Sequence, residues 1–455
     1  MNSMDEAIGS GGAPGSPHLL YVAWGYPPSR GAGMYRVLAT ANAFARDGWR
    51  VTVLTATRDT FERLTGSDPE SEKYIDPRIR VVRIPFDPAR GEMDLRKWSR
   101  ARLFSPLLWN FARLARSRLS FPETGYGTWK APLTTAAEEI HRADPVDLVV
   151  GSANPNVDFA PGMHLRRTHG VPYVMDTRDA WHLDVYTGKR IGTRLGRSNR
   201  LERRLTDDAH EAWFVNQAIR DWHAAEYPRR AEHFHVVANG FDPSFLGAAP
   251  DRQTDPDGAL TFGYLGTIHG PIPLRETLEG WRIARAESPT VARSRLVFRG
   301  RLGQGAEPNP ATVALMNEYR DDDVSHLGPV SKTQVSEVYR DFDALLLIIS
   351  RSKYVTSGKV FEYAATGLPI AALHHPETAA TKILRGYPRL FPVSETTPRL
   401  IADALIAAAE EALATTPDRV EETRRWAAHL SRDAQLLPRV AALRAGLASS
   451  PRVTT

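Results

Sequence analysis

The residues best suited to chemistry lie in RSKYVTSGKVFEYAATGLPIAAL. There Thr356, Ser357, Gly358 and Lys359 open a helical segment that carries Glu362 and Tyr363 and stops at Gly367, ahead of Pro369. Hydroxyls, the free amides of a helix start and an ammonium converge at that opening, which suits a phosphate group. Lys359 and Glu362 are three residues apart and share one helical face. The glutamate, one turn deeper, would face away from the phosphates and accept hydrogen bonds from ribose hydroxyls; otherwise the two form only a surface ion pair. Arg299 and Gly300, at the end of RLVFRG, are placed either to line the same nucleotide cleft or to cap structure.

A second group sits in MDTRDAWH, residues 175–182, directly after an apolar strand. Asp176, Arg178, Asp179 and His182 bring opposite charges together there. Arg178 has the planar fork that binds anions, and Asp179 or His182 could accept a proton from an acceptor group. A purely structural ion-pair network is the other reading. Near the start, HLLYVA leads into WGYPPSRGAGMYR, whose Gly31 and Gly33 either line a ligand or make a tight turn. Their spacing is not the dinucleotide pattern GxGxxG.

The elements that must position these groups alternate between strand and helix. HLLYVA, WRVTVLTA, IRVVRIPF, VDLVVGSA and VPYVMD are strands of a first domain, and LTFGYLGTIH, RLVFRG, VSHLGPV and ALLLII are strands of a second. Such alternation predicts two α/β domains with mostly parallel sheets, and places the loops above at strand carboxyl ends, where open sheets bind ligands. The expected division is a disordered leader over 1–16, a first domain over 17–248 and a second over 249–425. Residues 426–455 then form a helix crossing back to the first domain and a tail. GAAPDRQTDPDGA reads as the exposed linker.

Composition narrows the class. With 455 residues, 42% of them apolar, the chain can fill two cores, and no apolar run approaches the roughly 20 residues that span a bilayer. The leader lacks the order of a signal peptide, and there is no cysteine. This excludes disulfides, thiolate metal sites and a cysteine nucleophile, and fits a soluble, cytoplasmic protein. The net charge of +5 is small, and no nucleic-acid motif accompanies it. One local cluster, Arg96, Lys97, Arg100, Arg102, Arg113, Arg116 and Arg118, is interrupted by bulky apolar side chains. It reads as a solvated helix face or as an amphipathic helix making peripheral contact with an anionic membrane.

In their order and spacing, YPPSRGAGMYR, VPYVMDTRDAW, VVANGFDPSF, SHLGPVSKTQVSEVYRDFDALLLI and SGKVFEYAATGLPIAAL resemble the retaining glycosyltransferases of family 4. The resemblance spans roughly residues 18–390 and implies the GT-B fold, two Rossmann-like domains facing an interdomain cleft. It implies a GDP-sugar or UDP-sugar donor on the second domain, a small-molecule or glycan acceptor on the first, and no metal or other cofactor. By position, Glu362 resembles the ribose-binding carboxylate, Ser357 to Lys359 the phosphate contacts, and Arg178-Asp179 a His-Asp pair near the reacting sugar. The chain departs from the family twice. Tyr354 stands where many members carry a first carboxylate, and Thr267, Ile268, His269 and Gly270 stand where many place an Arg and a Lys. The first departure points to an unusual sugar, as in specialised-metabolite pathways; the second either shifts phosphate neutralisation onto Arg299, Lys353 or Lys359 or impairs catalysis. A nucleotide-sugar epimerase or related coupling enzyme is an alternative reading, and the two departures keep open a noncatalytic nucleotide-sugar binder. A homodimer is one admissible assembly.

Overall fold

The computed structural model describes residues 15–31, 33–86, 96, 98–245, 258–303, 307–331 and 334–449. Most of the leader, most of the linker, the 450–455 tail and Lys97 of the basic cluster lie outside the described residues.

The chain divides into two compact units. One is Met1–Asp184 with Lys189–Ala238 and Leu436–Thr455, the other Val185–Gly188 with Asn239–Gln435. In the first, β1 (His18–Val22), β2 (Arg50–Ala56), β3 (Arg80–Ile84), β4 (Leu148–Ser152), β5 (Tyr173–Thr177), β6 (Glu211–Phe214) and β7 (Phe234–Val236) form one sheet. Its order is β3-β2-β1-β4-β5-β6-β7. Every pairing is parallel, with Leu19 opposite Leu148 and Tyr21 opposite Val150 where β1 meets β4. Strands covered on both faces must be apolar throughout, and β1 and β4 are buried at every position.

The second unit holds β8 (Thr261–Leu265), β9 (Arg295–Arg299), β10 (Val324–His326), β11 (Ala344–Leu347), β12 (Ile370–Ala372) and β13 (Leu390–Pro392). These run parallel in the order β10-β9-β8-β11-β12-β13. Both units are therefore doubly wound α/β domains of Rossmann type, and together they are the pair that makes up the GT-B fold class. In each, the strand order reverses once, between β1 and β4 and between β8 and β11, and the carboxyl ends at a reversal are where such sheets leave a crevice.

Aromatic packing fixes the layers. Phe44 and Trp49 meet edge to face at 5.1 Å in the first unit, and Phe262 and Trp281 at 5.3 Å in the second. Burying side chains of this size stabilises by about 2–3 kcal/mol each. The first core is completed by the end of the chain. Leu436, Val440 and Leu443, from the helix Arg432–Ser449, are buried in the same cluster as Phe44, Val53 and Trp213.

Candidate functional site

In the second unit, the reversal between β8 and β11 brings the loop after β8 beside the helix Gly358–Thr366. Ser357 is the residue before that helix and uses an extended backbone there, with no side-chain cap bond. Gly358 is exposed, and a Cβ there would meet open space. The helix therefore presents its first amides to solvent, and Gly367 ends it in the left-handed conformation the sequence pattern requires. Ser352 shapes the approach: its hydroxyl accepts the amides of Tyr354 at 3.1 Å and Val355 at 3.2 Å.

Lys359 folds back over the sheet end. Its Nζ lies 4.0 Å from the centre of the Tyr264 ring and hydrogen-bonds the Tyr264 hydroxyl. The close approach needs Gly266, since a Cβ there would come within 2.8 Å of the lysine Cε and Nζ. The residue keeps partial exposure, yet its packed surroundings desolvate the ammonium. Burial pushes its pKa down to about 7, against the opposing charge of Glu362. Glu362 is partly buried and accepts a hydrogen bond from the Tyr339 hydroxyl at 3.1 Å. The Tyr363 hydroxyl accepts the Leu265 amide at 2.8 Å, fastening the helix to the end of β8.

Arg299 and Gly300 lie at the adjoining end of β9. Arg299 donates Nη1 to the Leu327 carbonyl at 2.9 Å, tying the ends of β9 and β10 together. Gly300, at φ +134°, packs so closely that a Cβ would sit 2.1 Å from the Gly266 carbonyl oxygen. His326 Nε2 donates to the Gly300 carbonyl at 2.7 Å. A cavity of about 600 Å³ opens at Ile268, His269 and Gly270, the segment where the family pattern is broken, and is also lined by Arg275, Asn309 and Thr312.

In the first unit, the reversal between β1 and β4 holds a cavity of about 80 Å³ lined by Trp24, Gly31, Gly33, Ser152, Asn154 and Arg178. Arg178 projects from the end of β5. Its guanidinium donates to the Ala153 carbonyl at 3.0 and 2.6 Å and to that of Asn154 at 3.1 Å. It lies flat on Gly33, where a Cβ would fall 1.5 Å from Nη1. Asp179 accepts a hydrogen bond from the Asn154 amide group, so Arg178 and Asp179 meet at Asn154. Gly31 donates its amide to the Ser29 hydroxyl at 3.2 Å.

The other two charged residues of MDTRDAWH go elsewhere. Asp176, fully buried, takes a forked pair of bonds from Arg36 at 2.6–3.1 Å. His182 is buried with Nδ1 2.9 Å from Glu202 and Nε2 3.0 Å from the Ser198 hydroxyl. Burial alone would raise the Glu202 pKa, but bonds and charge from His182 and His223 hold it far below the usual carboxylate range. The sequence thus grouped four residues that the fold separates into three networks.

Several groups at these strand ends escaped sequence reasoning. Tyr264, Tyr339 and Gly266 surround the Lys359–Glu362 turn, and Asn154 anchors both Arg178 and Asp179. Asp158 is fully buried, with Oδ2 accepting the Trp24 amide at 2.7 Å. Burial pushes its carboxyl well above the ordinary range, with that amide opposing. Glu123 nearby is raised by burial too, against the amides of Asn156 and Val157. Among the described residues, no cluster of three His, Asp or Glu side chains could hold a metal ion.

Two doubly wound parallel domains with loops of this kind at their reversal points are the architecture of the GT-B fold. Residues 31–240, a little under half of the chain, match the family model of the glycosyl transferase 4-like domain. Among curated proteins no sequence match accompanies it. The chain is similar in structure to sucrose-phosphate synthase from Thermosynechococcus elongatus, with 14% identity, TM-score 0.56, and coverage of 95% of this chain and 100% of that one. It is similar to Anabaena HepE in complex with UDP-glucose, with 14% identity, TM-score 0.56, and coverage of 94% and 99%. It is also similar to a putative UDP-N-acetylglucosamine 2-epimerase from Listeria monocytogenes, with 12% identity, TM-score 0.52, and coverage of 96% and 98%.

Proposed function

We propose that the chain is a retaining glycosyltransferase using a uridine or guanosine diphosphate sugar, with the diphosphate seated on the opening turn of the helix Gly358–Thr366. The observation that carries this reading is the Lys359 ammonium, held half-desolvated against Tyr264 and Gly266 beside the opening turn of that helix. An arriving diphosphate restores the charge that burial disfavours, and the amides of Gly358 and Lys359 add fixed donors. Glu362, steadied by Tyr339, then accepts the ribose hydroxyls. HepE, solved with UDP-glucose, makes UDP the first donor base to test.

The acceptor is assigned to the first unit, where Arg178 and Asp179 sit at the mouth of the Gly31–Gly33 loop. Arg178 orients an anionic or hydroxylated acceptor, and Asp179 takes its proton. As the glycosidic bond to phosphate breaks, negative charge gathers on the diphosphate. The helix amides and Lys359 stabilise it, a type of contribution worth roughly several kcal/mol in a water-poor site. With no assigned nucleophile on the opposite face of the sugar, the acceptor attacks from the side the nucleotide leaves, and anomeric configuration is retained.

Isothermal titration of UDP and GDP against wild type, Lys359→Ala and Glu362→Ala tests the assignment. Donor affinity falls at least tenfold in both variants if it is right, and unchanged affinity in both overturns it. The likeness to an epimerase structure makes one further assay worthwhile. A product analysis in which the donor sugar is inverted at a ring carbon without acceptor would replace transfer by epimerisation.

A further inference from the structure

The helices Arg100–Phe104 and Pro106–Ser120 bury almost nothing. Only Arg102 is buried in the first and only Ser117 in the second. Their large apolar side chains face outward: Phe104 is 94% exposed, Leu107 84%, Leu108 70% and Phe111 73%, with Leu103 and Leu119 also exposed. Scattered apolar residues on a surface need no explanation, but six within one pair of adjoining helices form a face that water disfavours.

Charge says what covers it. From Leu95 to Pro122 the chain carries Arg96, Lys97, Arg100, Arg102, Arg113, Arg116 and Arg118 and no Asp or Glu. Arg102 and Arg113 are spread over the Trp109 ring at 4.6 and 4.9 Å, and Arg102 also lies 3.8 Å from the Trp98 ring. Cations are thereby fixed beside indoles, side chains that settle at the level of lipid headgroups. Arg197 donates to the Leu119 carbonyl at 2.5 Å, joining this end to the segment that bears exposed Ile191 and Leu195.

We propose that this pair of helices docks the first unit onto an anionic phospholipid surface, with Phe104, Leu107, Leu108 and Phe111 entering the acyl boundary and the arginines meeting the headgroup phosphates. No described helix is long and apolar enough to cross a membrane, so the contact is interfacial. A second copy of the chain meeting the same face would set cations against cations. Nucleic acid would use the arginines but leave four aliphatic and aromatic side chains in water. The surface makes no use of the residues assigned to the donor.

Vesicle flotation with phosphatidylcholine alone and with about 30% phosphatidylglycerol tests it. The full chain binds the anionic vesicles at least ~10-fold more tightly than neutral ones, and the binding weakens as salt is raised. Phe104→Ser/Phe111→Ser and, independently, Arg100→Glu/Arg116→Glu each reduce it by ~10-fold or more, with melting midpoints near wild type. Equal binding of both vesicle types, or wild-type binding by both double variants, overturns the proposal. So does a dimer by light scattering that the Phe variant splits while vesicle binding is absent. Binding of a single-stranded oligonucleotide that persists in the Phe variant, again without vesicle binding, reassigns the face to nucleic acid.

Discussion

Raising the pH should weaken nucleotide binding, and the proton balance of Lys359 sets the amount. Its pKa falls from the ordinary 10.5 to about 7 because burial removes solvent from the ammonium, with Glu362 opposing. At pH 8 about a tenth of the unliganded protein carries that proton, whereas a diphosphate on the lysine returns its pKa toward the ordinary value. Binding of UDP at pH 8 is then accompanied by uptake of about 0.9 proton, and at pH 6 by about 0.1. The dissociation constant rises close to ~10-fold per pH unit from pH 8 upward and is nearly flat below pH 6.5. The sign for the unliganded fold is fixed too. A lysine whose folded pKa lies below its unfolded one costs stability when protonated, so the fold gains stability as pH rises from about 7 toward 10.5, by up to about 5 kcal/mol. Titration calorimetry in two buffers of different ionisation heat reads the uptake directly, and Lys359→Met provides the baseline that removes protons taken up by UDP itself. An uptake at pH 8 indistinguishable from that variant refutes the reasoning.

Other perturbations test the loops and the networks behind them. Gly33→Ala should displace the Arg178 guanidinium, because the added methyl would occupy its place; turnover falls at least ~10-fold while stability drops only about 1–2 kcal/mol. Combining it with Arg178→Ala adds little further loss, and Gly31→Ala, whose methyl meets only Ser29 Oγ at 3.4 Å, stays near wild type in the same kinetic assay. Gly300→Ala faces both a positive φ and the Gly266 carbonyl, so urea denaturation should show a loss of about 3 kcal/mol or more. Asp176→Ala strands Arg36 in the core, a change worth roughly 3–5 kcal/mol by the same measurement. Tyr339→Phe removes the hydroxyl that hydrogen-bonds Glu362, and UDP affinity should fall about threefold to tenfold by calorimetry.

What could be read from the sequence depended on whether the cause was local. The helix Gly358–Thr366 is legible because its start, its period and its left-handed Gly367 stop all lie within one stretch. Parallel sheets follow from apolar strands alternating with helices, although the strand order does not. Arg178 could be placed at a strand end, but its partners are backbone carbonyls of Ala153 and Asn154 and the bare face of Gly33, which leave no side-chain signature. Asp176 looked like a neighbour of Arg178 because they are two residues apart. Residues two apart share a face only while the strand continues; β5 ends at Thr177, Arg178 lies beyond it, and the true partner of Asp176, Arg36, comes from a helix far earlier in the chain. The lowered pKa of Lys359 likewise required Tyr264 and Gly266 from another strand end, and no pattern around position 359 encodes them.

The placement of Leu436, Val440 and Leu443 among Phe44, Val53 and Trp213 has a consequence for biosynthesis. A ribosome making this chain releases all seven strands of the first sheet long before the helix that seals their core exists, and the whole of the second sheet emerges in the meantime. The nascent first unit must wait with an uncovered apolar seam, so truncation ahead of Leu436 would harm the half of the protein made first.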